Sequence, residues 1–258
     1  MRAFIRFWLA ASFAVLLALP ATAADLRVMT SGAFLAPLGD LAKQYEHDYG
    51  VHIVIINGPS MGATPGAIPA RLARGEAADA VILARSALDN LVKAGHIAPG
   101  SETDLVRSPI ALAVKAGAPV PDISTVAALK ATLINAKSIA YSDSASGVYV
   151  GTELFERLGI AEVARAKAKM IAATPVGEIV AKGEADVGFQ QMSELLPVKG
   201  IIVVGPLPAD VQKITVFSAG LIKTNADTDD AAEFVAFLAS PSAWKTMRVY
   251  GLVPAREK

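Results

Sequence analysis

Short apolar runs rich in β-branched residues alternate with longer amphipathic segments from residue 26 to the end of the chain. The runs 52–56 and 80–83 have the length and composition of buried strands. The segment 33–49 places Phe34 and Leu38 on one face of a helix. Alternation of this kind is typical of βα units around mainly parallel sheets, and it predicts the α/β fold class.

The same order of strands and helices restarts near residue 110, and no low-complexity linker separates the two halves. Two half-sized groups without a linker predict two lobes joined by strands that cross between them, near 107–114 and 212–219. The terminal helices should return to the first lobe. The predicted organisation is a signal peptide at 1–23, a first lobe at 24–106 plus 217–258, and a second lobe at 107–216.

The first residues have the pattern of a secretory signal. Arg2 and Arg6 precede an apolar run over 7–19, and Ala21-Thr22-Ala23 supplies the small residues that signal peptidase reads. The apolar run is shorter than the ~20 residues of a membrane-spanning helix. Because the cleavage site lacks a cysteine that could carry a lipid, we expect a protein that is free in the periplasm and not lipidated.

Charge and composition exclude several function classes. The chain has 24 basic and 24 acidic residues, so it lacks the excess positive charge that nucleic-acid binding requires. It has no cysteine, which excludes disulfides, thiolate metal sites and a cysteine nucleophile. The three histidines do not form a zinc-binding pair on one helical face. We therefore predict no metal site and no cofactor.

Four loops that follow predicted strands carry hydroxyl or amide side chains, at 31–32, 57–62, 142–149 and 190–193. In open α/β sheets, ligands gather at the carboxyl ends of strands, where helix N-termini offer unpaired N–H groups and about half a positive charge. Such loops suit a small oxyanion or a carboxylate. Each serine is also explained as a helix N-cap, and that alternative stays open.

Two arginines could clamp a carboxylate. Arg85 follows the strand that ends at Leu83, and Arg107 lies at the first predicted crossing, although Arg85 could equally lie on the surface. Arg71 and Arg74 lie late in a predicted helix and should cover its C-terminus. The predicted ligand-binding residues are Ser31, Gly32, Asn57, Ser60, Met61, Arg85, Arg107, Ser144, Ser146, Gly147, Val148, Tyr149, Thr174, Gln190, Gln191 and Ser193.

The sequence Gly58-Pro59-Ser60-Met61-Gly62 matches the nucleophile elbow of α/β-hydrolases. In that fold an acid and then a histidine must follow the serine, and His96 is the histidine that follows Ser60 in this chain. A triad drawn from adjacent short elements would crowd one edge of the sheet. Ser60 is therefore better explained as an anion-contacting or capping hydroxyl than as a nucleophile.

Six segments together carry a family resemblance: Leu-Arg-Val-Met-Thr-Ser at 26–31, Asn-Gly-Pro-Ser-Met-Gly at 57–62, Gly-Glu-Ala-Ala-Asp-Ala-Val-Ile at 75–82, Ser-Gly-Val-Tyr at 146–149, Gly-Glu-Ala-Asp-Val-Gly at 183–188 and Tyr-Gly-Leu at 250–252. Their order resembles the periplasmic molybdate-binding-protein family. The resemblance implies the type II periplasmic binding-protein fold, with a ligand cleft between two lobes. It also implies Ser31 and Ser60 as hydroxyl contacts.

The sequence departs from this family at two positions. Members that bind molybdate place a tyrosine where Gln191 aligns and an aspartate where Arg85 aligns, which favours a planar carboxylate over a tetrahedral oxyanion. The segments 188–195 and 205–208 resemble a branch of the family that contains periplasmic aconitate isomerases.

Two functions follow from the resemblance. The first is a cofactor-independent isomerase that interconverts trans- and cis-aconitate by an allylic proton shift, with Glu194, Asp143 or Tyr149 as the proton carrier. The second is a periplasmic receptor that delivers a molybdate-like oxyanion or a small carboxylate to an ABC permease. For either function we expect a monomer that binds a small anion, does not bind nucleic acid and does not insert into the membrane after signal cleavage.

Overall fold

The computed structural model describes residues 25–62, 64–223 and 229–257. The predicted signal peptide, 1–23, lies outside these ranges. Within them, no helix combines the length and the hydrophobicity that crossing a membrane requires.

The described residues form two sheets flanked by helices. The strands are β1 (Leu26–Thr30), β2 (Ile53–Asn57), β3 (Ala80–Ala84), β4 (Thr103–Ser108), β5 (Ile110–Lys115), β6 (Ile139–Ser142), β7 (Ala168–Ile171), β8 (Val187–Gln191), β9 (Ile201–Pro206), β10 (Thr215–Leu221) and β11 (Val253–Pro254). The helices are α1 (Gly32–Tyr49), α2 (Ile68–Ala73), α3 (Arg85–Lys93), α4 (Val126–Asn135), α5 (Ala145–Tyr149), α6 (Phe155–Arg157), α7 (Ala161–Arg165), α8 (Val176–Lys182), α9 (Met192–Leu195), α10 (Asp229–Ala239) and α11 (Pro241–Val249). A π-helical turn (Val150–Leu154) joins α5 to α6, and a 3-10 turn (Ala209–Val211) follows β9.

The first sheet has the strand order β11-β4-β10-β3-β1-β2. Its centre is parallel, because β1 pairs in register with β2 on one side and β3 on the other. The remaining strands run antiparallel, with β10 between β3 and β4 and with β11 at the edge. The carboxyl ends of β1, β2 and β3 therefore lie at one edge of this sheet.

The second sheet has the strand order β7-β6-β8-β5-β9. Here β6 is parallel to β7 and β8, whereas β5 runs antiparallel to β8 and β9. The carboxyl ends of β6, β7 and β8 consequently share one edge, as those of β1, β2 and β3 do in the first sheet.

Two connections join the sheets. Pro109 alone separates β4 in the first sheet from β5 in the second, and the segment 207–214 leads from β9 back to β10. Strands β5 and β10 each enter a sheet from the other one without a crossover helix, and each runs antiparallel to its neighbours. The expectation of mainly parallel sheets was therefore wrong outside the central βα units. The lobe limits, 24–106 plus 217–258 and 107–216, stay a prediction.

Each sheet has its own hydrophobic core. In the first, the face predicted for α1 is buried, and Tyr45 packs edge-on against Phe234 of α10 with 4.8 Å between the ring centroids. In the second, Phe155 and Phe189 are fully buried with α4 and β5. Two separate cores allow the two groups of strand ends to face each other across a cavity.

The single helix predicted over 147–158 is interrupted in the structure. Its middle turn, Val150–Leu154, is π-helical. The Thr152 hydroxyl donates to the Val148 carbonyl over 2.6 Å, and this bond competes for an acceptor within the helix. The wider turn also brings Gly151 close to the ring of Tyr141. Strands β4 and β7 were missed from the sequence because neither is a continuous apolar run.

The two glycines Gly188 and Gly39 give a matched test of the packing against β8. A Cβ on Gly188 would lie 2.5 Å from Val180 and 2.7 Å from Val176, whereas a Cβ on Gly39 in α1 would meet nothing within 4 Å. We expect Gly188→Ala to lower the free energy of unfolding by about 1–3 kcal/mol through overpacking. Gly39→Ala should raise it by about 0.5–1 kcal/mol because alanine favours the helix. Urea denaturation of both variants checks this, and equal stabilities would contradict the packing described for β8.

Candidate functional site

A cavity of about 530 Å³ lies between strand-end loops of the two sheets. The first sheet contributes the start of α1 and residues 57–59 and 64–66, and the second contributes residues at and after the ends of β6, β7 and β8. The cavity thus lies where the carboxyl ends of parallel strands meet, which is the usual ligand position in α/β folds. We call it the central cavity.

Of the eighteen residues predicted as ligand contacts or proton carriers, eight line this cavity. They are Gly32, Asn57, Asp143, Ser144, Thr174, Gln190, Ser193 and Glu194. Asn57 and Gln190 lie in the last two residues of β2 and β8, Thr174 precedes α8, and the others come from the loop or helix start that follows a strand. The structure therefore brings these side chains from both sheets around one volume.

Several predicted ligand residues serve the scaffold instead. The Ser60 hydroxyl is buried and accepts a hydrogen bond from the Ala84 N–H over 3.0 Å, so it ties the loop after β2 to the end of β3. Ser146 shares a 3.1 Å hydroxyl contact with Ser142, and Gly147 lies against the Ser142 carbonyl, where a Cβ would collide. These contacts shape the wall of the cavity from behind.

Met61 and Val148 were also predicted to bind the ligand, and neither lines the cavity. Met61 packs against the hydrophobic core of the first sheet. Val148 is 47% exposed on the outer face of α5. Both predictions were based on position in a loop motif, which does not determine the direction of a side chain.

Neither arginine predicted as a carboxylate clamp lines the cavity. Arg85 donates to Asp89 over 2.7 Å and to Asp104 over 2.9 Å. Arg107 donates to carbonyl groups of the C-terminal segment at Pro254, Ala255 and Glu257. Both predictions need correction, because the guanidinium groups already have partners elsewhere in the fold.

Tyr149 does not face the cavity either. Its buried hydroxyl donates to the Val211 carbonyl over 2.5 Å and accepts from Arg157 over 3.3 Å. Burial raises the pKa of Tyr149, while Arg157 partly opposes the change. The proton of this phenol is therefore committed to the scaffold, and Tyr149 is a poor proton carrier for a ligand.

Gln191 links the two connections between the sheets. With its amide nitrogen donating to Ser108 Oγ over 2.8 Å and its amide oxygen accepting from Thr215 Oγ1 over 3.0 Å, the side chain joins the end of β4 to the start of β10. It is almost fully buried and does not line the cavity. Gln191 was predicted to bind the ligand, but the partners of its amide are the crossing strands.

Gln190 and Glu194 form the most distinctive polar pair of the cavity. The side-chain amide oxygen of Gln190, Oε1, accepts a hydrogen bond from the Val176 N–H over 2.9 Å. The amide nitrogen, Nε2, is then left to donate to Glu194 Oε2 over 2.6 Å. The Glu194 carboxylate also occupies the space that a Cβ on Gly32 would fill, so it reaches across to the start of α1. Glu194 thus contacts both sheets.

The environment of Glu194 shifts its protonation into the neutral range. Desolvation by burial raises the pKa of Glu194 to about 7; the hydrogen bond from Gln190 opposes the shift, and the charge of Asp143 adds to it. A carboxyl with this pKa is divided between its acid and base forms near neutral pH, which suits proton transfer.

Asp143 is the second carboxyl of the cavity, and it fixes an unusual backbone conformation. Its Oδ2 accepts from the Ala173 N–H over 3.3 Å. Ala173 has a φ of 57°, in the left-handed region that costs a residue with a Cβ of order 1 kcal/mol or more. Residues with a strained backbone cluster at binding sites, and here the conformation of Ala173 positions residues 173–175 in the cavity wall.

Three buried hydroxyl oxygens have no hydrogen-bond partner within the described ranges: those of Ser31, Thr64 and Ser193. Thr64 and Ser193 line the cavity, and Ser31 directly precedes α1 without capping its first turn. An unpaired buried hydroxyl is costly, so these groups indicate a polar ligand. The sequence prediction missed Thr64, although it lies just after the 57–62 loop and has the same hydroxyl chemistry.

The cavity wall itself carries no cation in the described part of the chain, since its charged lining residues are Asp143 and Glu194. Arg71 donates to the Gly66 carbonyl over 2.9 Å and Arg74 to the Pro65 carbonyl over 2.8 Å. These two arginines therefore bind the backbone of the cavity residues Pro65 and Gly66 and do not simply cover the end of α2. The described His, Asp and Glu residues form no group of three that could hold a metal ion.

The chain resembles known proteins in both sequence and fold. The chain is 47% identical over 246 residues to an aconitate isomerase from a Pseudomonas species, covering 95% of this chain and 93% of that protein. It is 26% identical over 244 residues to a molybdate-binding protein of Azotobacter vinelandii, with 92% of each covered.

The comparison of folds agrees with the similarity in sequence to a molybdate-binding protein. The solved structure of the periplasmic molybdate-binding protein of Azotobacter vinelandii matches with a TM-score of 0.72 at 23% identity, covering 88% of this chain and 98% of that one. The two sheets therefore form the α/β, two-lobe type II periplasmic binding-protein fold. The family model of the bacterial extracellular solute-binding proteins matches residues 26–253, and the chain belongs to this family.

Proposed function

We propose that this protein is a periplasmic isomerase that interconverts trans- and cis-aconitate without a cofactor. The observation that carries the proposal is Glu194, a carboxyl with a pKa of about 7 that lines the central cavity together with hydroxyl and amide side chains and the start of α1. The 47% identity to an aconitate isomerase over nearly the whole chain supports the same substrate.

The reaction needs one proton to leave and one to return. A base removes a proton from the CH₂ group of aconitate, and the electron pair spreads over the allylic carbons and the adjacent carboxylate. An acid then protonates the other allylic carbon, so that the double bond shifts and its geometry can invert. Glu194 can take the proton as a carboxylate and return it as a carboxylic acid, because both forms are populated near neutral pH.

Asp143 has a supporting role in this mechanism. It accepts a hydrogen bond from the Ala173 N–H and so orients residues 173–175 of the cavity wall. Its negative charge also raises the pKa of Glu194 and helps to keep that carboxyl partly protonated. The carboxylates of the ligand would bind to the unpaired hydroxyls of Ser31, Thr64 and Ser193. Inside an enclosed site these donors also stabilise the charge that develops after proton removal.

The family and the signal sequence support a periplasmic location. Extracellular solute-binding proteins act outside the cytoplasmic membrane, and the leader at 1–23 would be cleaved after Ala23. We infer a protein that carries no lipid and works as a monomer on a small anionic ligand.

A transport receptor is the second candidate. The 26% identity to a molybdate-binding protein and the shared scaffold favour it, because that fold needs only a cavity and a conformational closure to bind an oxyanion or a small carboxylate. The partner would then be an ABC permease. Glu194 is the observation against this function, since a receptor that only binds an anion has no use for a carboxyl that gains and loses its proton near neutral pH.

The role of Glu194 can be tested with a matched pair of substitutions. We expect Glu194→Gln to lower kcat for aconitate isomerisation by about 100-fold or more, because the amide keeps the shape but cannot carry the proton. Glu184→Gln, on an exposed residue outside the cavity, should leave kcat unchanged. Conversion of trans-aconitate is followed by proton NMR, and wild-type turnover in Glu194→Gln would exclude Glu194 as the proton carrier.

The pH dependence of the reaction gives a second test. If Glu194 is the base, kcat/KM should rise with pH, reach half of its maximum near pH 7 and then level off. The folded protein binds the Glu194 proton more tightly than the unfolded chain does, so wild-type stability relative to Glu194→Gln should fall as the pH rises from about 4.5 to about 7. Rate profiles and thermal melts across this range measure both effects. Parallel stability curves for the two proteins would contradict the raised pKa.

A further inference from the structure

We propose that Gly251, in the turn that follows α11, is a positioning residue for Glu194. The turn receives the segment that carries Glu194, residues 192–196, and so fixes the proton carrier relative to α1. Gly251 is the middle residue of Tyr250-Gly251-Leu252, one of the six segments that carry the family resemblance, and it lies outside the lining of the central cavity. The proposal rests on the proposed function for the catalytic role of Glu194.

The short helix α9 follows a strand of the second sheet but contacts elements of the first. It comes directly after β8 and lies close to α1. The Glu194 carboxylate lies in the space beside Gly32, whereas the side chains of Met192 and Leu196 lie over Gly251. Residues four apart share one face of a helix, and the residue midway between them points to another face. Elements of the first sheet therefore hold this segment from two sides.

The contact at Gly251 requires a residue without a side chain. Gly251 has a φ of 70°, in the left-handed region that glycine adopts without strain. A Cβ at this position would lie 2.7 Å from Met192 Sδ and 3.2 Å from Leu196 Cδ1. Both side chains therefore occupy the room that the missing Cβ leaves. A larger residue here would push the 192–196 segment away from the turn.

The turn is itself fixed to the first sheet, so it can serve as a rigid support. The Tyr250 hydroxyl donates to Asp40 Oδ2 over 2.7 Å, and Asp40 belongs to α1. Leu252 is buried in the hydrophobic core of the first sheet. Because the turn and α1 are joined, a segment that separates from the turn would also withdraw Glu194 from α1.

The position of Glu194 affects its chemistry through its exposure to water. Burial is the largest cause of its raised pKa, and the start of α1 supplies part of that burial. The other two influences, the hydrogen bond from Gln190 and the charge of Asp143, come from the second sheet and would move with Glu194. Asp143 is the other charged lining residue of the cavity in the described ranges. Loss of the contact at Gly251 should therefore lower the pKa of Glu194 from about 7 towards its ordinary value of 4.5.

The test compares Gly251→Ala with Gly95→Ala. Gly95 is the second residue after α3, as Gly251 is after α11, and its φ is 82°, but a Cβ on Gly95 would meet nothing within 4 Å. Both variants should lose about 2–4 °C of melting temperature from the strained alanine. We expect Gly251→Ala alone to lower kcat for aconitate about 10-fold or more, because the proton carrier is misplaced. In Gly251→Ala, the half-maximum of kcat/KM should also fall about one pH unit below its wild-type value.

Leu196→Ala gives a second variant that spares the core, because Leu196 is 43% exposed. It removes one side chain from the same contact and should move the pH profile in the same direction by a smaller amount. Wild-type kcat and pH profile in Gly251→Ala, or equal changes in Gly95→Ala, would overturn the positioning role. If Gly251→Ala does not fold, a wild-type profile in Leu196→Ala would overturn it.

A carbon NMR titration of the glutamate carboxyls separates this inference from the proposed function. Glu194→Gln identifies the Glu194 signal, and the titration measures its pKa without any turnover. A protein that does not isomerise aconitate, but in which Gly251→Ala lowers the pKa of Glu194 and Gly95→Ala does not, would remove the enzyme proposal and leave the contact that positions Glu194. Active wild type with the same pKa of Glu194 in both glycine variants would remove the positioning role alone.

Discussion

The two strand crossings are the constraint on which the functional architecture depends. The chain passes from β4 to β5 through Pro109 alone and returns to the first sheet at β10, and the buried Gln191 amide bonds to both crossing strands. With the sheets joined in this way, the carboxyl ends of their parallel strands face each other. The cavity, its helix starts and its unpaired hydroxyls all follow from that arrangement.

Within this frame, the cavity has an unusual balance of charge for a site that takes anions. Its charged lining residues in the described structure are two carboxyls, and Arg71 donates to the backbone carbonyl of Gly66. Anion binding must therefore come from helix starts and hydroxyls, while the enclosed carboxyl of Glu194 retains its proton up to about pH 7. A site of this composition is better suited to moving a proton on a carboxylate ligand than to holding an oxyanion alone.

The sequence predicted the fold class and the strand-end loops of the cavity because both depend on local patterns. Periodicity located α1, and loops with hydroxyl or amide side chains located Ser144 and Ser193. Arg107 and Tyr149 were misplaced, because their partners lie more than 60 residues away in the chain or close to its C-terminus. The choice of Glu194 among the proton carriers needed burial and the contact with Gly32, neither of which local sequence specifies.

The most direct test of the central claim is turnover by the purified protein without its signal peptide. Incubated with trans-aconitate in D₂O, it should form cis-aconitate and incorporate solvent deuterium at the allylic carbon, as expected when a side chain in exchange with solvent carries the proton. No cis-aconitate, together with a rise in melting temperature on adding micromolar molybdate, would contradict the isomerase and favour the transport receptor.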